Sequence, residues 1–273
     1  MTRLSRYFSW LLLGGLGLSL LLPQSSALAA NQIVNQQTEL SSGDLIRGVA
    51  YPSVYYLGAD GLRYVFPNEK TYRTWYSDFS TVKQISDDQL GQIQIGGNVT
   101  YKPGMKMVKI NTDPKTYAVA PGGYLHWIEN ENLATTIFGT DWPNQIDDIP
   151  DAFFTNYHLG ASLNDASSYQ LNNVRLATVD VNHDKSLTAP AIFTITHAGY
   201  SPIDLHIPLG QSIRFVNQDT SQHTATADDL SWGSGTLAPN AEFVHTFTSE
   251  GTYTFFDSYN SRHTGAVYVT PKN

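Results

Sequence analysis

Cysteine is absent from the 273 residues. Its absence excludes disulfides, thiolate zinc sites, iron–sulfur clusters and a cysteine nucleophile. Charge is scarce as well: 15% of residues are charged, with 16 Lys+Arg against 24 Asp+Glu. A net charge of −8 argues against a phosphate-backbone binder, so no nucleic-acid partner is expected. What is present points to β structure. The chain holds 16 Tyr, 21 Gly and 13 Pro, a composition of pleated strands and tight turns. Hydrophobic residues at 41% can supply a core, and the length suits two small domains.

Residues 1–29 read as a signal peptide. Arg3 and Arg6 precede an uncharged run from Trp10 to Leu22 of about 13 residues, short for a bilayer crossing. Ala27 and Ala29 fit a small-x-small cleavage rule, with cleavage after Ala29 as first choice and an uncleaved anchor as the alternative. Either way export is expected, to a secreted, periplasmic or cell-surface location. No membrane span is expected after cleavage. Residues 30–43 read as a flexible segment.

Residues 44–163 contain an internal repeat. The stretch 54–66 (VYYLGADGLRYVF) matches 116–128 (TYAVAPGGYLHWI) at an offset of 62, which is 117 − 55 for the two Tyr residues. Each reads as strand, turn, strand, with Ala59-Asp60-Gly61 and Pro121-Gly122-Gly123 at the turns. A short helix follows each, over 68–76 and 129–138, with Asn68 and Asn130 as N-caps. Between the halves, 96–104 and 107–110 are expected to form another hairpin. The segment resembles hairpin–helix modules of bacterial envelope proteins, which implies an envelope setting and no mechanism. Its aromatics suit cross-strand packing, or stacking on glycan if exposed. His126 and His158 have no ligand partner nearby in sequence.

Residues 164–190 are expected to be a polar linker. Asp180, Asn182 and Asp184 have the spacing that opens a calcium loop. But Lys185 stands where that loop needs Gly, and Ala191 where it needs Glu, so a solvated turn is the plainer expectation.

From residue 191 the pattern is short strands between turns, expected at 192–196, 203–207, 212–217, 242–248, 251–256 and 265–269. Phe243, His245 and Phe247 alternate on one face. Such spacing means a sandwich or small barrel. Residues 208–219 (PLGQSIRFVNQD), His223, 234–239 (SGTLAP), 250–256 (EGTYTFF) and 264–269 (TGAVYV) together resemble the cupredoxin family in collinear order over about eighty residues. The resemblance implies a Greek-key β-sandwich with a metal site at one end. The overall fold expected is therefore mainly β: an α+β hairpin–helix repeat domain followed by a cupredoxin-like domain over 191–273.

The ligands depart from the family pattern. By the resemblance, Asp257 stands at the Cys position, Asn260 at the second His and His263 at the Met, with only His223 unchanged. A blue copper centre needs a copper–thiolate bond, and without Cys it cannot form. His223, Asp257 and His263 remain as a candidate non-blue divalent site, with Asn260 orienting Asp257 or a bound water from behind. Copper leads by the affinity order, and a carboxylate in place of thiolate favours copper(II). The alternative is a domain that has lost its metal, with Asp257 accepting a hydrogen bond from His223 or His263. His197, His206 and His245 read as core or surface histidines, and Trp232 as packed on the sandwich. No catalytic group is expected. The partners to consider are a wall or surface polymer and a redox or metal-donor protein.

Overall fold

A computed structural model describes residues 38–272. The expected signal peptide, and residues 30–37 of the segment after it, lie outside the described residues.

The first sheet follows from three short hydrophobic strands and two parallel additions. Strands β1 (Leu45–Arg47), β2 (Tyr55–Leu57) and β3 (Arg63–Val65) form an antiparallel meander. Helix α1 (Glu69–Trp75) then leads to β4 (Val82–Gln84), which pairs parallel to β1. Helix α2 (Asp87–Gln92) leads to β5 (Ile95–Asn98), parallel to β3. The second sheet has the same plan. Strands β6 (Met107–Ile110), β7 (Asp113–Ala120) and β8 (Tyr124–Trp127) form the meander. Beyond helix α3 (Glu131–Phe138), β9 (Ile146–Asp148) adds to β6, and beyond α4 (Asp151–Phe154), β10 (His158–Leu159) adds to β8. The strand orders, β4-β1-β2-β3-β5 and β9-β6-β7-β8-β10, correspond strand for strand. Asn68 and Asn130 each accept an N–H bond at the helix start, from Thr71 and Leu133. Gly61 and Gly122 sit at φ values of 82° and 76° in their turns, where a side chain would be strained.

One expectation fails here. Residues 96–104 and 107–110 are not two arms of a hairpin: β5 closes the first sheet while β6 opens the second. β5 is Ile-Gly-Gly-Asn with no buried apolar residue, so no alternation marks its partner, and the parallel partners of β5 and β6 lie far away in sequence.

The stretch expected as a polar linker carries helices α5 (Leu171–Ala177) and α6 (Val181–Lys185). Tyr169 is buried in the core of the second sheet, with Leu171 and Val174 packed against it. Val181 is buried in the core of the first sheet, with Leu187 alongside. The segment is therefore a strap across both sheets. Its few apolar residues sit where burial stabilises the strap, and its polar ones cap and bridge. Asp180 serves as the N-cap of α6, bonding His183 N at 2.9 Å, which accounts for the calcium-like spacing.

The C-terminal sandwich has two four-stranded sheets. One orders β12 (Gly199–Ser201), β11 (Ala191–Thr196), β14 (Ser212–Asn217) and β16 (Glu242–Thr246). The other orders β13 (Asp204–Pro208), β18 (Asn260–Thr270), β17 (Gly251–Asp257) and β15 (Thr226–Ala227). Inward residues of both sheets share one core. Phe193 and Phe215 stack at 5.3 Å, and Phe255 from the opposite sheet meets each edge-on at 5.1 Å. Trp232 packs on this core and stacks on His245 at 4.6 Å. His197 and His206 are exposed. The sandwich and the first sheet touch: the Gln94 amide bonds both the N–H and the carbonyl of Val244 on edge strand β16, which covers an otherwise open edge.

Candidate metal centre

Three local devices bring the candidate ligands to one end of the sandwich. The first is Asn217 at the end of β14, fully buried. Its Nδ2 donates to the carbonyls of Ser221 and Leu237 at 2.8 and 2.9 Å, and its Oδ1 accepts from Asp219 N at 2.9 Å. This fixes the loop that carries Asp219 and His223. His223 and Leu237 also exchange both backbone bonds, at 3.1 and 2.8 Å. The second device is the register shift between Phe256 and Asp257, where the β17–β18 ladder is irregular. Such a bulge re-aims the side chain that follows, and Asp257 ends fully buried. The third is the length of β18. The sequence pattern starts it at 265, but it begins at Asn260, three residues beyond Asp257 across the two-residue turn Ser258-Tyr259. His263 therefore projects from a strand. Its ring lies against Gly199, where an added Cβ would fall 3.2 Å from it.

His223, Asp257 and His263 each place one ligand atom within 4.8 Å of the others. Asp257 Oδ2 is 2.6 Å from His223 Nδ1 and 3.6 Å from His263 Nδ1. Its Oδ1 accepts the backbone N–H groups of Thr224 and Tyr259 at 2.9 and 3.0 Å. The Thr224 hydroxyl accepts Ser258 N at 2.7 Å, and the Thr224 carbonyl accepts the Tyr200 hydroxyl. The carboxylate is thus held from behind by backbone dipoles, with one oxygen facing two imidazoles.

A residue that the sequence reading left without a role completes the set. Asp219 Oδ2 sits 3.0 Å from His223 Nε2, so the His223 ring lies between two carboxylates. Burial alone pulls the His223 imidazole down, but hydrogen bonds and charge from Asp257 and Asp219 outweigh it and raise its pKa. Asp219 is held below the usual carboxylate range, chiefly by its bond to His223. The i,i+4 spacing of Asp219 and His223 was the only hint in the sequence. It means contact on a helix, but here a loop produces it.

Asn260 does not orient Asp257. Its amide Nδ2 lies 3.0 Å from His263 Nε2. His263 Nδ1 is buried and has no hydrogen-bond partner. Metal binding through Nδ1 requires the other orientation of the Asn260 amide, with Oδ1 accepting from Nε2–H. That flip exchanges O and N in place and gives up the 3.3 Å bond that Oδ1 accepts from Arg262 N.

The donor set fits a divalent ion. Metal–ligand bonds of about 2.0–2.2 Å put tetrahedral ligand atoms roughly 3.4 Å apart. The two carboxylate–imidazole spacings, 2.6 and 3.6 Å, lie on both sides of that value, and all three ligand atoms lie within 4.8 Å of one another. His223 would give up its Asp257 bond and keep Asp219 on Nε2, the carboxylate–histidine–metal arrangement that fixes the tautomer. Without thiolate the set does not fit a blue copper centre. Among the described residues, Asp180 and Asp184 do not join such a group. His126 bonds the Ala161 carbonyl at 2.7 Å, and His158 lies on β10 beside the Tyr124 ring.

The family described as "Cupredoxin-like domain" matches residues 174–269. The C-terminal domain is cupredoxin-like. The match begins inside α5, so it takes in most of the strap as well as the sandwich. Among solved structures, a purple cupredoxin from Nitrosopumilus maritimus is similar at 26% identity and a TM-score of 0.28, covering 29% of this chain and 99% of that one. The copper-containing nitrite reductase from Thermus scotoductus is similar at 23% identity and a TM-score of 0.29, covering 31% of this chain and 23% of that one. A mutant of amicyanin in the Cu(I) form is similar at 21% identity and a TM-score of 0.28, covering 30% of this chain and 82% of that one. No curated protein matches the chain significantly.

Proposed function

We propose that this is an exported, non-enzymatic envelope protein whose cupredoxin-like domain holds one divalent metal ion, copper(II) favoured. The ligands are His223 Nδ1, Asp257 and His263 Nδ1, with Asp219 and Asn260 fixing the two rings from behind. The observation that carries this reading is the buried, unpartnered His263 Nδ1, 3.6 Å from a carboxylate oxygen that already faces a second imidazole. A buried polar atom without a partner is costly unless something binds it. The carboxylate makes the site a holder of copper(II) rather than a fast one-electron carrier. The tandem-sheet region serves as the scaffold, with a wall or surface polymer as the partner to test. A metal-donor or redox protein is the partner to test at the cupredoxin-like domain.

A second reading has its own support. Both ring nitrogens of His223 are already bonded to carboxylates, so a protonated His223 closes the site without any ion. Copper(II) titration of the full chain separates the two, followed by calorimetry and electron paramagnetic resonance. The metal reading expects one equivalent bound below micromolar, with nitrogen coupling reduced in both His223→Ala and His263→Ala. Weak binding shared by the parent and both variants would leave the closed Asp–His–Asp network as the answer.

A further inference from the structure

Helix α6 joins the two hairpin turns that the 62-residue offset relates. Asn182 Oδ1 accepts Ala59 N at 2.8 Å in the first turn. Asp184 Oδ1 accepts Gly122 N at 3.0 Å in the second. Val181 anchors the helix in the core of the first sheet. The two contacts differ in kind. Asn182 is neutral and reaches the surface, where its Nδ2 donates to Ser42. Asp184 is 2% exposed, and its Oδ2 has no partner. The Thr100 hydroxyl beside it makes no hydrogen bond in this geometry and, turned toward Asp184, would favour the ionised form. One N–H and one hydroxyl do not replace the hydration a carboxylate loses on burial, whereas a neutral carboxyl loses far less and still accepts from Gly122.

We propose that α6 is a releasable clasp between the two sheets, closed when Asp184 is protonated and loosened when it ionises. This inference is independent of the metal site. Burial pushes the Asp184 carboxyl up to about 6, against smaller opposing effects from the Gly122 N–H, the Lys185 charge and the Thr100 hydroxyl. The other groups facing the helix are accounted for. Lys185 lies over the Tyr64 ring, and burial lowers its pKa against the charges of Asp184 and Asp60. Asp60 is bonded by Tyr64 and neighboured by Arg214 of the sandwich. Tyr157 stays neutral, its pKa raised by burial and by Asp184. Asp180 and His183 form an exposed pair at the start of the same helix.

The sign follows from linkage. A buried acid with a raised pKa binds its proton more tightly folded than unfolded, so raising the pH through about 6 withdraws stability from the closed clasp. Two pKa units set a ceiling of about 100-fold on the change in the local opening constant.

The test is hydrogen exchange of the full chain from pH 4.5 to 8, read at the Gly122 amide and across α6 after correction for intrinsic exchange rates. The parent should open progressively more as pH rises to about 6 and level off above it, by up to about 30-fold across this window. Asp184→Asn keeps an acceptor for Gly122 and adds a donor for Thr100, so its opening should not vary with pH. Asn182→Ala should loosen the clasp at every pH and keep the parent's pH dependence. A carbon-13 titration should show one aspartate with a midpoint near pH 6 that Asp184→Asn deletes. PH-independent opening in the parent, the same pH dependence in Asp184→Asn, or no such resonance would each overturn the proposal.

Discussion

Asp257 in the sandwich and Asp184 in the strap are 0% and 2% exposed, yet their surroundings differ. Asp257 has two backbone N–H groups on one oxygen and the His223 ring on the other, at 2.6–3.0 Å. Asp184 has one N–H on one oxygen and nothing on the other. Burial alone penalises the charged form of either residue, and what decides the outcome is the supply of donors. In the sandwich, the tight turn after β17 supplies the Tyr259 amide and the His223 loop supplies the Thr224 amide to one carboxylate oxygen. On the strap, a single turn amide is in reach, and the charge is left to Lys185. The first arrangement suits a carboxyl group held in one position beside two imidazoles, where it can help hold a cation. The second suits a group that changes charge near neutrality.

The largest test of this contrast removes the better-provisioned residue. Asp257→Ala leaves His223 and two backbone amides without their acceptor. Breaking a buried pair by removing one partner costs about 3–5 kcal/mol, and urea denaturation of the metal-free chain should show a loss of that size. Next in size is the pH dependence at Asp184. Its folded pKa of about 6 lies above the ordinary 3.8. Its contribution should therefore raise stability as pH falls from above 6 toward 4, by at most about 3 kcal/mol. Asp184→Asn should flatten that slope in a series of urea titrations and be more stable than the parent at pH 8. Asp219→Asn removes the charge behind His223 Nε2. It should weaken copper(II) binding by about 10–100-fold in calorimetry, and unchanged affinity would show that Asp219 only packs. The smallest expected effect is on the stability of His263→Ala without metal. Its Nδ1 already lacks a partner, so thermal unfolding should shift by less than about 1 kcal/mol.

Much of the architecture was legible in the residues, and the exceptions share a cause. The hairpins at 54–66 and 116–128 and the helices after them are local objects, set by alternation, turn glycines and Asn caps. The sandwich strands were legible for the same reason. The pairing of β5 and β6 was not, because alternation says which face is apolar but not which strand lies alongside. The strap was misread because it is polar on average. Its structural content rests on a few residues, such as Val181 and Asp184, whose partners lie about 60 or more positions away. At the metal centre, His223, Asp257 and His263 could be picked out through a family resemblance. Asp219 could not, because no local pattern tells a loop to curl back on a ring four residues later.

The sequence by itself determined which chemistry is out of reach and which donors are available. With no cysteine there is no thiolate, whatever the fold does, and ligand identity is a property of composition. Tertiary structure alone decided which donors meet and which remain unpaired. That outcome depends on Asn217 fixing one loop, on a bulge turning Asp257 inward, and on a two-residue turn that puts His263 on a strand. The physical reason is range. Backbone preference acts over a few residues, whereas a hydrogen bond or a metal ligand set needs sub-ångström placement of groups brought together from distant parts of the chain.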